Sequence, residues 1–199
     1  MDVVMKRLLR GALVLAMAAS AVAPASATSL IRESLDDLVA GNGAVVLGEV
    51  LDSYSYWNAE GTFILTDVRF RADDVLKGDL QDRELTVTLM GGTVGETTTL
   101  ILGGAELIPG NSYVLFLNEE DLPGAKGVRT VRDHAQGAFN VVMSGRGLRA
   151  ISQANQHPLL PDKNGYFDAA GGPEGYPLTS MMQSIREIAG REGRRPEVQ

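Results

Sequence analysis

The sequence predicts a mainly β protein, a small barrel with one helix before it and one after it. Three observations carry this prediction. Apolar and polar residues alternate through much of residues 44–117, glycine and proline turns separate the alternating runs, and helical apolar spacing is confined to the two ends.

Ahead of the first helix, Lys6, Arg7 and Arg10 precede an apolar run from Gly11 to Val22 and small-residue cleavage sequences at Ala23-Pro24-Ala25 and Ala25-Ser26-Ala27. Residues 1–27 therefore read as a secretory signal, and the apolar run is shorter than the roughly 20 residues of a spanning helix. The expected location is periplasmic or extracellular, with no membrane span after signal cleavage. Loss of Lys6, Arg7, Arg10 and Asp2 would take the formal charge from -7 to -9. That acidic balance, with no basic cluster, argues against nucleic acid and anionic lipid as partners. The chain has no cysteine, which excludes disulfides, thiol catalysis and thiolate metal sites.

The first helix is expected over residues 29–40, capped by Ser29, with Ile31, Leu35 and Leu38 on one face and Gly41-Asn42-Gly43 as its stop. Strands are expected over 44–57, 61–78, 83–92, 97–104 and 111–120, with shorter ones at 128–131, 138–143 and 148–152. Ile64, Thr66, Val68 and Phe70 share one face of the second strand, and Asp67, Arg69 and Arg71 share the other. Residues 113–117 are apolar at every position, the pattern of a strand covered on both sides or lying where a barrel meets a helix. Gly48 inside the first strand marks a bend, bulge or close backbone approach. Asn58, Ala59, Glu60 and Gly61 form a hairpin turn. Just before it stand Tyr54, Tyr56 and Trp57, placed either to cover the open end of a barrel or to form a recognition surface for a protein or glycan.

Residues 155–175 read as a surface loop. The final helix is expected to start at Ser180, with Gln183 completing a capping box, and to stop at Gly190; Met181, Ile185 and Ile188 form its apolar stripe. Residues 191–199 read as a disordered polar tail. The domain organisation is thus a signal over 1–27, one β-domain with its leading helix over 28–154, and a loop and helix over 155–190 packed on the same domain.

No catalytic constellation emerges. His134 and His157 are the two histidines, Asp133 merely adjoins His134, and G-x-S-x-G and H-E-x-x-H are both missing. Ser144 lies in a turn, Lys77-Gly78 lacks a phosphate loop, and residues 91–95 lack dinucleotide spacing. Asp162-Lys163-Asn164-Gly165-Tyr166-Phe167-Asp168 is oxygen-rich, but its glycine is fourth where a calcium loop has it sixth, so an Asx-type turn is expected. No cofactor and no metal are expected.

The order of A-V-V-L-G-E-V (44–50), a hairpin, I-L-T-D-V-R-F (64–70), V-L-K-G (75–78), L-T-V-T (85–88) and P-G-x-x-Y-V-L-F-L (109–117) resembles the netrin-type OB barrel, the fold of the tissue inhibitors of metalloproteinases. The resemblance spans residues 44–143 and implies a closed OB-like barrel. Those inhibitors hold their target's zinc through an amino-terminal cysteine and are cross-linked by disulfides. A cysteine-free chain cannot inherit that chemistry. The expected function is a non-enzymatic binding or interaction module whose partner is another envelope or secreted protein, or a glycan. The alternatives are a secreted hydrolase with a noncontiguous carboxylate site and a purely structural accessory domain.

Overall fold

The computed structural model describes residues 31–132, 134–157, 160, 161, 165 and 170–192. The expected signal, the Ser29 cap and residues 193–199 of the expected tail lie outside them. Helix α1 (Leu35–Gly41) leads into β1 (Ala44–Trp57), β2 (Ile64–Lys77), β3 (Glu84–Met90), β4 (Gly92–Val94), β5 (Thr97–Thr99), β6 (Ser112–Leu122), β7 (Ala125–Val131), β8 (Ala138–Ser144), β9 (Gly147–Ser152) and β10 (Tyr176–Pro177), and α2 (Leu178–Glu192) follows.

The strands form an eight-stranded sheet of order β10-β9-β8-β6-β1-β2-β3, in which β7 also pairs with β6, and a separate β4-β5 hairpin. This corrects the closed OB-like, netrin-type barrel: neither sheet is closed. Strand β3 pairs with β2, and β7 with β6. Although Cα atoms of β3 and β7 come within 8 Å of each other, no ladder joins them. Short alternating runs and a bend are shared by closed and open sheets alike, so the motifs that resembled a barrel do not determine whether the last edge is sealed.

Apolar layers cover both faces of the central strands. On one side Val45, Val114, Phe116, Phe139 and Ala150 pack with Leu35, Leu38 and Val39 of α1 and Met181, Ile185 and Ile188 of α2. On the other, Val46, Val50, Val68, Phe70, Val87, Leu115 and Leu117 pack together with Tyr113. This explains the uninterrupted apolar run in β6: successive side chains point to opposite faces, and neither face is wet.

At Gly48 the β1-β2 register shifts, and a Cβ there would run into the Arg71 carbonyl oxygen and lie 2.7 Å from Phe70 Cε1. The close approach expected of Gly48 is therefore present, in an open sheet.

Helix α1 is shorter than expected and starts later. Ser34, not Ser29, caps it: Ser34 Oγ accepts from the Asp37 N–H at 3.2 Å, while Asp37 Oδ2 accepts from the Ser34 N–H at 3.4 Å. Ile31 belongs instead to a parallel bridge with Leu160 and is exposed, whereas Arg32 is buried. Helix α2 begins before Ser180 and continues past Gly190. Two residues of the supposed tail are helical, and Glu192 pairs with Lys77 at 2.7 Å. The Lys77 ammonium also donates to the Val39 carbonyl, so one side chain joins β2 to both helices. Strand β10, inserted between the loop and α2, has no counterpart in the sequence reading.

Phe70 is fully buried and Trp57 is 41% exposed. Phe70→Ala should cost about 3–5 kcal/mol in equilibrium denaturation, and Trp57→Ala should cost clearly less. Gly48→Ala should be destabilising by roughly 1–3 kcal/mol through overpacking; near-wild-type values for either core variant would mean that the faces of β1 and β2 are assigned wrongly.

Candidate functional site

Tyr54 and Tyr56, two residues apart on β1, point to the same side, and their rings stack at 6.2 Å between centroids and 11° between planes. Tyr54 is 72% exposed. The Tyr56 hydroxyl donates to Asp67 Oδ1 at 3.2 Å, and the same oxygen accepts from the Thr88 hydroxyl at 2.7 Å. The hydrogen bonds fix Tyr56 across three strands, and Tyr56 in turn supports the exposed Tyr54 ring. Trp57 falls on the alternate position of the strand. The sheet has no barrel mouth, so the covering role foreseen for these aromatics loses its object.

A second surface was not foreseen. Residues 97–104 were expected to be a strand, but only Thr97–Thr99 is one, and residues 100–109 form a loop. The β4-β5 hairpin that delivers this loop lies tight on β1 and β2. Gly92, at φ 130°, is where a Cβ would collide with the Thr66 hydroxyl and sit 2.5 Å from Ser55 Oγ.

Buried polar groups then pin the loop from beneath. Gln153 accepts from the Glu106 N–H at 2.8 Å and donates to the Glu106 carbonyl at 2.7 Å and to Asn140 Oδ1 at 2.9 Å. The Tyr113 hydroxyl, inside the core, accepts from the Ile108 N–H at 2.9 Å, and the Ala135 N–H donates to the Gly103 carbonyl at 2.9 Å. Leu107 is buried as an apolar anchor between the two polar ones.

The same loop holds Leu100 and Leu102 out in solvent, 77% and 83% exposed, with Ile108 at 46%. Beneath and beside them runs an open cleft of about 730 Å³, whose walls include Met90, Asn140, Val142, Gln156 and His157. Beyond Ile101, Gly104 and Ala105 a second hollow of about 370 Å³ reaches Glu120 and Leu122. Chemically the cleft offers apolar contact and amide and hydroxyl hydrogen bonding. Its signal in the sequence was the run Leu100-Ile101-Leu102 followed by Gly103-Gly104: three consecutive apolar residues break strand alternation, and exposed runs of that kind ask for a functional reason.

Of the other sequence candidates, His157 lines the cleft, while Asp133 and the His134 side chain lie outside the described part of the molecule. So does all of the oxygen-rich 162–168 loop except Gly165. Among the described residues no group of three or more His, Asp and Glu is placed to hold a metal ion, and no helix is long and apolar enough to cross a membrane.

Two measurements probe these surfaces. Burial, followed by the charge and the hydrogen bond of Asp67, raises the Tyr56 phenol above its ordinary value of 10.0. The folded state therefore holds this proton more tightly than the unfolded state. The resulting stabilisation is complete below pH 10 and is lost as pH rises through the folded-state value. An NMR titration of the Tyr56 ring should show late ionisation, and Asp67→Asn should move it back towards normal. Gln153→Ala should leave the Glu106 amide and carbonyl unpaired, costing about 1–3 kcal/mol and speeding hydrogen exchange at Glu106; unchanged exchange would show that the loop is held by other contacts.

A scan against protein-family models finds none that matches this chain, and no curated protein matches it in sequence.

Proposed function

We propose that this chain is an exported, non-enzymatic binding module that contacts another envelope or secreted protein through the cleft and the loop over residues 100–109. One observation carries the reading: buried Gln153 and Tyr113 fix the loop's backbone while Leu100 and Leu102 are left almost fully exposed. Exposed leucines raise the free energy of the isolated protein's surface, and burying polar clamps beneath them adds a desolvation cost. A loop with no role beyond connecting β5 to β6 needs neither. A fixed backbone carrying apolar side chains reduces the ordering entropy lost on association, which is the main benefit of preorganisation. The stacked Tyr54-Tyr56 pair adds a second exposed apolar area with little rotamer entropy to lose.

The test is affinity capture from envelope extract with the mature chain and with Leu100→Ser/Leu102→Ser. Both side chains are outside the core, so the double variant should melt within a few degrees of wild type. A protein retained by wild type and lost from the double variant is the expected result. Retention that ignores the two leucines, or none at all across repeated extracts, would sink this reading.

A further inference from the structure

The charge pattern around the cleft bears on the chemistry of what fills it. From residue 84 to residue 125 the sequence contains no lysine or arginine, yet it carries Glu84, Glu96, Glu106, Glu119, Glu120 and Asp121. This run supplies the β4-β5 hairpin, the whole 100–109 loop and most of the cleft wall. Glu106 lines the cleft, Glu120 lines the adjoining hollow, and Glu96 sits in the hairpin turn that leads into the loop. All three are exposed, and none is in an ion pair among the described residues, whereas Glu119 faces Arg129.

Three arginines on or beside β7, β8 and β9 are engaged elsewhere. Arg149, opposite Val142 in the β8-β9 ladder, turns its guanidinium to the Glu174 and Gly175 carbonyls, both at 2.6 Å. Arg146 pairs with Glu174, and Arg132, on the wall of the second hollow, donates to the Gly41 carbonyl.

We infer that the cleft takes a polypeptide segment of a partner protein in which apolar anchor side chains are flanked by lysine or arginine. The inference rests on the binding-module reading and adds to it the sign of the partner's charge. The cleft's apolar side chains and the exposed leucines select anchors by area and shape, and the unpaired carboxylates of Glu106 in the cleft, Glu120 in the adjoining hollow and Glu96 in the hairpin turn attract a cation and repel an anion. The same carboxylates oppose the other ready occupants of an apolar surface. A second copy of this chain brings a formal charge of -7 against them, and an anionic bilayer brings its own negative surface.

The experiment uses a random-sequence peptide library displayed against the mature chain, with Leu100→Ser/Leu102→Ser as the counter-target. Peptides kept by wild type and lost by the double variant should carry apolar residues flanked by an excess of lysine and arginine. For one such peptide, Glu96→Gln/Glu106→Gln should weaken binding roughly threefold to tenfold, and raising the salt to about 0.15 M should have an effect in the same direction. Variant-sensitive peptides with acidic or charge-free flanks would overturn the charge inference while leaving the binding reading intact. A library that yields no leucine-dependent peptide overturns the inference. Sedimentation showing self-association that the double variant abolishes would replace the basic segment by a second copy. The binding reading itself fails only if leucine-dependent capture from extract is also missing.

Discussion

Burial of β1 and β6 on both faces is the constraint from which the remaining architecture follows. An antiparallel sheet with one wet face needs only a single apolar layer, but a strand such as Tyr113-Val114-Leu115-Phe116-Leu117 needs two. The helices supply one cover, packing α1 and α2 over Val114 and Phe116. The sheet supplies the other by folding β2 and β3 back towards β6, so that Val68, Phe70 and Val87 meet Leu115 and Leu117. Strand β1 shifts register against β2 on the way, and the absent side chain at Gly48 admits the close approach of Arg71 and Phe70. The fold-back brings β3 beside β7 without requiring that their backbones pair. Leu89 and Met90 of β3 and Thr130 and Val131 of β7 line the second hollow, where a closed barrel would have a ladder.

The candidate site inherits its rigidity from that same core. Tyr113 belongs to the doubly covered strand, and its hydroxyl accepts from the Ile108 N–H of the loop; Gln153 follows directly on β9. Each holds the loop by backbone groups, so the loop's geometry depends on where the strands end more than on its own side chains. Leu100 and Leu102 are consequently free to vary in type without altering the path of the chain. A framework that fixes backbone and leaves side chains open is well suited to recognition, because specificity can change without refolding.

Strand existence was legible because period-two alternation is local: β1 was read to the residue, and β2, β3, β8 and β9 nearly so. Helix starts were less so, since Ser29 and Ser34 are equally good caps in isolation; the bridge of Ile31 to Leu160, more than a hundred residues away, decides between them. Closure of the sheet was misread for the same reason. It depends on whether β3 and β7 meet in hydrogen-bonding register, a property of two distant edges that neither strand's own pattern records. Among the site residues, Tyr54 and Trp57 could be singled out because aromatics beside a turn are conspicuous. The cleft could not, because its clamps are ordinary residues: nothing in Gln153 or Tyr113 announces that it will face Glu106 or Ile108. What the sequence did contain was the broken alternation at Leu100-Ile101-Leu102, and it was absorbed into a strand that ended sooner than its composition implied.

The basic-free run from residue 84 to residue 125 has a practical side. Trypsin cuts after lysine and arginine, so the β3-to-β6 region with the entire loop leaves a digest as one long peptide ending at Lys126. Amine-reactive cross-linkers find no lysine anywhere on that stretch. A proximity map built on lysine chemistry would therefore leave this face of the protein blank, however firmly a partner sat on it. Reagents that couple through carboxylates would report there instead, at Glu96, Glu106 and Glu120.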